Sequence, residues 1–137
     1  MKGRHNWMIA SMLLVLVALS SGGCSTTDEA EEGTPGAAVQ TFYRHLGDGA
    51  YDDAQAMYSA EAREIVADPE MFRSWAEQAT HQGSIDKVVI IDSSVAETEA
   101  TAAVEFELGF KDGSSEAYSV ELVDEGGEWR LGLVLPK

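Results

Sequence analysis

Residues 101–111, TAAVEFELGFK, alternate with a period of two. Ala102, Val104, Phe106, Leu108 and Phe110 share one side; Thr101, Glu105, Glu107 and Lys111 share the other. Successive side chains of a strand point to opposite faces, so this segment predicts a strand with one face in a core and one in water. Such a face must be covered by another layer. Tyr118, Val120 and Leu122 predict a neighbouring strand, Trp129, Leu131, Leu133 and Leu135 a further one, and the β-branched run Ile85–Ile91 a fourth. In that first run two faces compete, Val88 with Ile90 against Val89 with Ile91.

The covering layer is encoded upstream. Thr34-Pro35 supplies a helix cap and a first helical position, and Val39, Phe42, Tyr43 and Leu46 recur at i, i+3, i+4, i+7. Gly47 is expected to stop that helix as a C′ glycine. A short second helix starts near Tyr51, with Asp52 and Asp53 in its first turn. Another turn or two covers Ala60–Val66. Asp68-Pro69-Glu70 opens a last helix, whose inner face is expected to carry Phe72, Trp75, Ala76 and Ala79 and which Gly83 ends.

Opposed residues of a hairpin share a face, so parity restricts register. Between the second and third strands opposed numbers must sum to an even value. A three-residue Asp112-Gly113-Ser114 loop is expected, pairing Leu108 with Tyr118 and Phe106 with Val120. In the next hairpin a two-residue Glu125-Gly126 loop is expected. It pairs Leu122 with Trp129 and Val120 with Leu131, and sets Glu121 opposite Arg130. Helices followed by strands indicate an α+β domain: N-terminal helices packed on one face of a curved, four-stranded antiparallel sheet.

The first residues have another character. Lys2 and Arg4 precede Trp7–Leu19, an apolar run broken only by Ser11, and then Ser20, Ser21, Gly22 and Gly23. That layout is a secretory signal peptide. At ~1.5 Å per residue the run spans about 20 Å against a hydrocarbon core of about 30 Å, which leaves an uncleaved transmembrane anchor as the alternative. Cys24, the only cysteine, follows directly. Residues 25–35, STTDEAEEGTP, hold four acids within five positions and no large apolar side chain. They are expected to form a disordered tether with a reach of about 18 Å. The expected organisation is a signal peptide over 1–23, an anchor and tether over 24–35, and one domain over 36–137.

Ser21-Gly22-Gly23-Cys24 is similar to the lipobox of bacterial lipoproteins, with Ser21 where leucine is usual. The resemblance implies cleavage before Cys24 and a diacylglyceryl group on its thiol. Two acyl chains are what stable anchoring requires. It also implies a domain held outside the cytoplasm, in the bacterial cell envelope. Ser25 stands where an aspartate tends to retain Gram-negative lipoproteins at the inner membrane. Farther on, PGAAVQTFYRHLGDGAYDDAQAMYSAEA, with KDGS and EGGEWRL near the end, looks like the nuclear transport factor 2-like superfamily, closest to its small lipoprotein members. That implies a cone of curved sheet around helices, a fold that hosts isomerases, cyclases, dehydratases and many non-enzymes.

Function has to be read from side chains. The chain holds 24 acids and nine bases, a net charge of −15, which becomes −17 if Lys2 and Arg4 are removed. Nucleic-acid binding, which needs a basic footprint, is excluded as an expectation. Spacings for a metal site are absent, as are a phosphate-cradling glycine loop and a nucleophile elbow. No cofactor is expected. Among inner positions of the strands only Glu116 is acidic, at a strand end, and Tyr118 is the central polar group. His45 and His81 sit near helix C-termini, where an imidazolium is favoured. Asp86 and Asp92 flank the first strand's core. Tyr43, Tyr58, Trp75, Tyr118 and Trp129 are candidates to line a pocket for a small apolar ligand, and equally candidates for plain core. The expected function is a non-enzymatic, lipid-anchored envelope protein that binds a protein partner or a small apolar ligand. The alternative is a small pocket enzyme of isomerase or hydrolase type. An accessory role in an envelope assembly, with an exposed sheet face as contact, is a third.

Overall fold

The computed structural model describes residues 29–96 and 100–137. The segment expected to be a signal peptide, Cys24 and the start of the acidic segment lie outside the described residues. Four helices, α1 (Pro35–Gly47), α2 (Tyr51–Gln55), α3 (Ala60–Ile65) and α4 (Pro69–Ala79), precede four strands, β1 (Ile85–Val95), β2 (Thr101–Phe110), β3 (Ser115–Glu125) and β4 (Glu128–Pro136). The strands form one open antiparallel sheet in the order β1-β2-β3-β4. The fold class is α+β, as the change of period from helical to two requires.

Two of the four helices, α1 and α4, carry the caps expected for them. Thr34 Oγ1 accepts from Ala37 N–H at 3.3 Å, and Asp68 Oδ1 accepts from Glu70 and Met71 N–H at 2.9 and 3.1 Å. Each cap contributes about 1 kcal/mol. Val39, Phe42, Tyr43 and Leu46 of α1 are buried against Val104, Phe106, Leu108 and Leu122. Burying each such large side chain contributes roughly 1.5–3 kcal/mol. Contacts with α1 begin ahead of Gly36. Ala30 N–H donates to Gln40 Oε1 at 2.8 Å, and Gln40 Nε2 donates to Val88 O at 3.1 Å, so one side chain pins the entering chain to β1.

Several local expectations are corrected. α1 runs through Gly47, with Asp48 as its C-cap; the glycine with positive φ is Gly49, at 74°. α4 ends at Ala79 rather than Gly83, because His81, Gln82 and Gly83 all turn left-handed. In β1, Ile85, Val88 and Ile90 pack on the core, and register shifts at Ile85/Lys87 and Ile90/Asp92 reconcile them. The β2–β3 hairpin keeps the even parity but turns one residue earlier, over Lys111-Asp112-Gly113. It pairs Phe106 with Tyr118 and Val104 with Val120. Asp112 sets it by accepting from Ser114 N–H at 2.8 Å, beside Gly113 at φ 88°.

The β3–β4 hairpin turns over Gly126-Gly127, both with positive φ, as a two-residue hairpin loop demands. Its pairs are Leu122 with Leu131, Val123 with Arg130 and Asp124 with Trp129, not Glu121 with Arg130. The pairing then shifts. Val120 faces Val134, so β4 spends one residue more than β3 between the two pairs. An extra residue reverses which side chains point inward. Leu131 is buried and Val134 packs on the core, while Leu133 and Leu135 leave the face expected for them and are exposed. Gly132 permits this: a Cβ there would lie 2.9 Å from Glu121 O.

Candidate functional site

The reversal in β4 leaves apolar surface at the sheet's edge. Seven large apolar side chains among the described residues are exposed, and five gather here: Ile65, Met71, Trp75, Leu133 and Leu135. With Tyr58, Val66, Phe72 and Val134 they line a cleft of about 270 Å³ between α3, α4 and the end of β4. Met71 is 72% exposed and Leu135 61%. Trp75 is the correction to the expected inner face of α4. It packs on Phe72 and Phe42, with ring centroids 5.7 and 6.4 Å away, yet its outer side forms the cleft wall. A second cleft, about 490 Å³, lies on the opposite face of the sheet. Ile65, Leu133 and Leu135 are shared by both, and Ala103, Ser119, Glu61 and Glu121 are among the other residues that line the second. Among the described residues the two Glu are the only charged groups lining either cleft.

The edge strand between the clefts is half covered. Leu131 N–H donates to Met57 O at 2.9 Å and Leu131 O accepts from Ser59 N–H at 2.7 Å, a parallel bridge that closes the edge there. From Gly132 to Pro136 no described backbone group pairs with that side of β4. Lys137 N–H reaches Ala117 O on β3 at 3.2 Å. Antiparallel ladders alternate, so the N–H and C=O of Val134 face outward.

A polar cluster sits elsewhere, at the end of α4. Glu116 takes the Tyr118 hydroxyl on one carboxylate oxygen, and its other lies 3.3 Å from His81 Nε2. The His81 ring stacks on Phe110 at 3.8 Å and 11°. His81 and Gln82 hold φ of 48° and 59°, a conformation costing L-residues about 1–2 kcal/mol each. Thr80 braces them: its hydroxyl donates to Ala76 O at 2.7 Å and accepts from Gly83 N–H at 3.0 Å. Burial, then the bond to Glu116 and its charge, pushes the Tyr118 phenol up to about 12. Asp112 is held below the usual carboxylate range by the Ser114 hydroxyl and N–H, with His81 adding to this. His81 and Glu116 are thirty-five residues apart, so the inner parity of Glu116 at a strand end and the place of His81 near a helix C-terminus were separate signals with nothing to join them.

The five aromatic candidates therefore separate. Tyr58 and Trp75 meet in the apolar cleft. Tyr118 belongs to the Glu116 cluster. Trp129 lies half-buried at the start of β4, opposite Asp124. Tyr43 is core, 1% exposed, its ring against Phe42 and Phe106. Neither the Tyr43 nor the Tyr58 hydroxyl bonds to another described residue; burial first, and then the nearby Tyr58 and Tyr118 phenols, raise the Tyr43 phenol well above its ordinary range. Burial raises Tyr58 too. Asp86 and Asp92 are exposed. Among the described residues no cluster of His, Cys, Asp and Glu could hold a metal, and no helix is long and apolar enough to cross a membrane.

A family model, a domain of unknown function named DUF4878, matches residues 28–132. The chain belongs to the DUF4878 family. Among solved structures the DUF4878 chain is similar to a SEC-C motif containing protein from Rhodopseudomonas palustris. The likeness has a TM-score of 0.61 and 19% identity, and covers 77% of this chain and 80% of that one. It is similar too to a Campylobacter jejuni protein described as an NTF2-like transpeptidase, with a TM-score of 0.54 and 13% identity, over 69% of this chain and 94% of that one. At these identities the likeness concerns the fold, which is NTF2-like. No curated protein sequence matches the DUF4878 chain.

Proposed function

We propose that this DUF4878 protein is an exported lipoprotein, held to the bacterial envelope by lipid on Cys24, whose domain binds an apolar group at the β4 edge. The observation that carries the binding role is the convergence of Ile65, Met71, Trp75, Leu133 and Leu135 on one cleft. Contiguous exposed apolar surface of this kind marks an interaction site. Anchoring is supported by the basic, apolar and small-residue run that ends in Cys24. The domain binds rather than catalyses: the faces of helices and sheet are filled by Phe42, Tyr43, Phe106 and Leu108. Nile red titrated against the protein should bind saturably with a blue-shifted emission. Met71→Asp should weaken that binding by about tenfold, the cost of placing a charge in an apolar contact. Absence of saturable binding, or an unaltered variant, would overturn the binding role. For the anchor, Cys24→Ala should release the protein or leave an unprocessed precursor; normal processing with unchanged membrane retention would refute it.

A second reading, a small pocket enzyme, is favoured by the His81–Glu116–Tyr118 contact. Its phenol, raised to about 12, is a hydrogen-bond donor at neutral pH rather than a base. A Tyr118 that titrated near neutrality would revive that reading.

A further inference from the structure

We infer that the β4 edge takes an extended, alternately cationic and apolar peptide as an added strand. The inference rests on the binding role proposed above and names the chemistry of its partner. The edge already accepts one extra segment, since Met57–Ser59 bonds to both backbone groups of Leu131. Past that point the outward N–H and C=O of Val134 are offered with no described partner. Pro136 has no N–H and ends the open stretch. A strand added there places successive side chains on opposite faces of the sheet.

Those faces differ. On one lies the apolar cleft walled by Tyr58, Met71, Phe72 and Trp75. On the other lies the cleft that contains Glu61 and Glu121 and, among the described residues, no cation. One residue of an added strand enters the first and the next enters the second, so the matching sequence alternates apolar with lysine or arginine. Charge also decides against a second copy of this chain. Its net charge is −15, and an edge-to-edge pair would bring Glu61 and Glu121 of both copies together. The opposite edge, β1, is blunted by two register shifts and by exposed Asp86 and Asp92, so the sheet has one receptive edge.

The test uses the full chain in detergent and three capped synthetic peptides. One alternates lysine with valine, one alternates glutamate with valine, and one is the lysine–valine peptide with alternate backbone nitrogens methylated. The lysine–valine peptide should bind, with the glutamate peptide weaker by about tenfold or more. The methylated peptide should also lose about tenfold, because its side chains remain while its strand pairing does not. Glu121→Lys, an exposed substitution, should reverse the preference between the lysine and glutamate peptides. Equal binding of methylated and unmethylated peptides, or no reversal in Glu121→Lys, would overturn the inference. So would a protein that dimerises on its own in sedimentation and binds no peptide. Nile red binding without peptide binding would leave the apolar cleft standing and remove the added strand; loss of both would remove both readings.

Discussion

Replacing Gly132 with alanine strikes the device that turns Leu133 and Leu135 outward. The added Cβ would sit 2.9 Å from the backbone oxygen of Glu121 and 3.8 Å from its carbonyl carbon. Neither atom belongs to a flexible side chain, so relief requires the strands to separate by several tenths of an ångström. Both flanks resist: Leu122 pairs with a buried Leu131 on one side, and Val120 with Val134 on the other. Forcing extra volume into such a contact costs about 1–3 kcal/mol. At roughly 4–8 °C per kcal/mol for a domain of this size, Tm should fall by roughly 5–20 °C. Thermal unfolding followed by circular dichroism reads this, and Gly47→Ala is the internal control. Nothing lies within 4 Å of a Cβ added at Gly47, the last residue of α1. That substitution should raise stability by up to about 1 kcal/mol, since it removes helical glycine. Nile red affinity should fall in Gly132→Ala and stay unchanged in Gly47→Ala. A Gly132→Ala protein as stable as the parent would refute the tight approach of β3 and β4 and the account of the bulge built on it.

Two further outcomes concern the phenols. Glu116→Gln should lower the Tyr118 pKa from about 12 while leaving it above 10.0, because burial, the largest cause, remains. Phenolate absorbance against pH, assigned with Tyr118→Phe, measures it, and an unmoved titration would remove Glu116 as a cause. Tyr43→Phe should be as stable as the parent near pH 7 or more stable by about 1 kcal/mol, since it deletes a buried hydroxyl with no described partner. The folded-state pKa of Tyr43 lies above its unfolded value, so its contribution is complete below about pH 10 and is lost as pH rises beyond that. The variant should therefore lose less stability than the parent above pH 10; a variant weaker by more than about 1 kcal/mol at pH 7 would show that the hydroxyl is bonded.

The layer order was legible because each element carries its own period and its own punctuation. Pro35 behind Thr34 and Pro69 behind Asp68 mark helix starts with side-chain chemistry that acts within three residues. Register was only half legible. Parity fixes which residues share a face, but sliding a hairpin by two keeps every face, and Asp112's bonds to Ser114 chose between the options. The β4 bulge escaped the pattern because Leu131, Leu133 and Leu135 read as one unbroken face; Gly132 within a strand was its only trace. The cleft escaped with it, since its walls come from α3, α4 and β4. Trp75 follows the helical period faithfully, yet it stands where α4 overhangs the edge and so has core on one side only.

The bridge between Met57–Ser59 and Leu131 also sets an order of events in the life of the chain. It joins segments separated by about seventy residues, an interval that synthesis at about 5–20 residues per second takes roughly 4–14 s to cross. All four helices emerge before the strand that clasps them. Until β2 and β3 follow, the apolar stripe of α1 has no sheet to lie on, because β1 to β4 are built from neighbouring hairpins that come after the helices. A nascent chain halted before Leu131 therefore lacks the strand that Met57–Ser59 clasps, and the edge closes there only once β4 has been made.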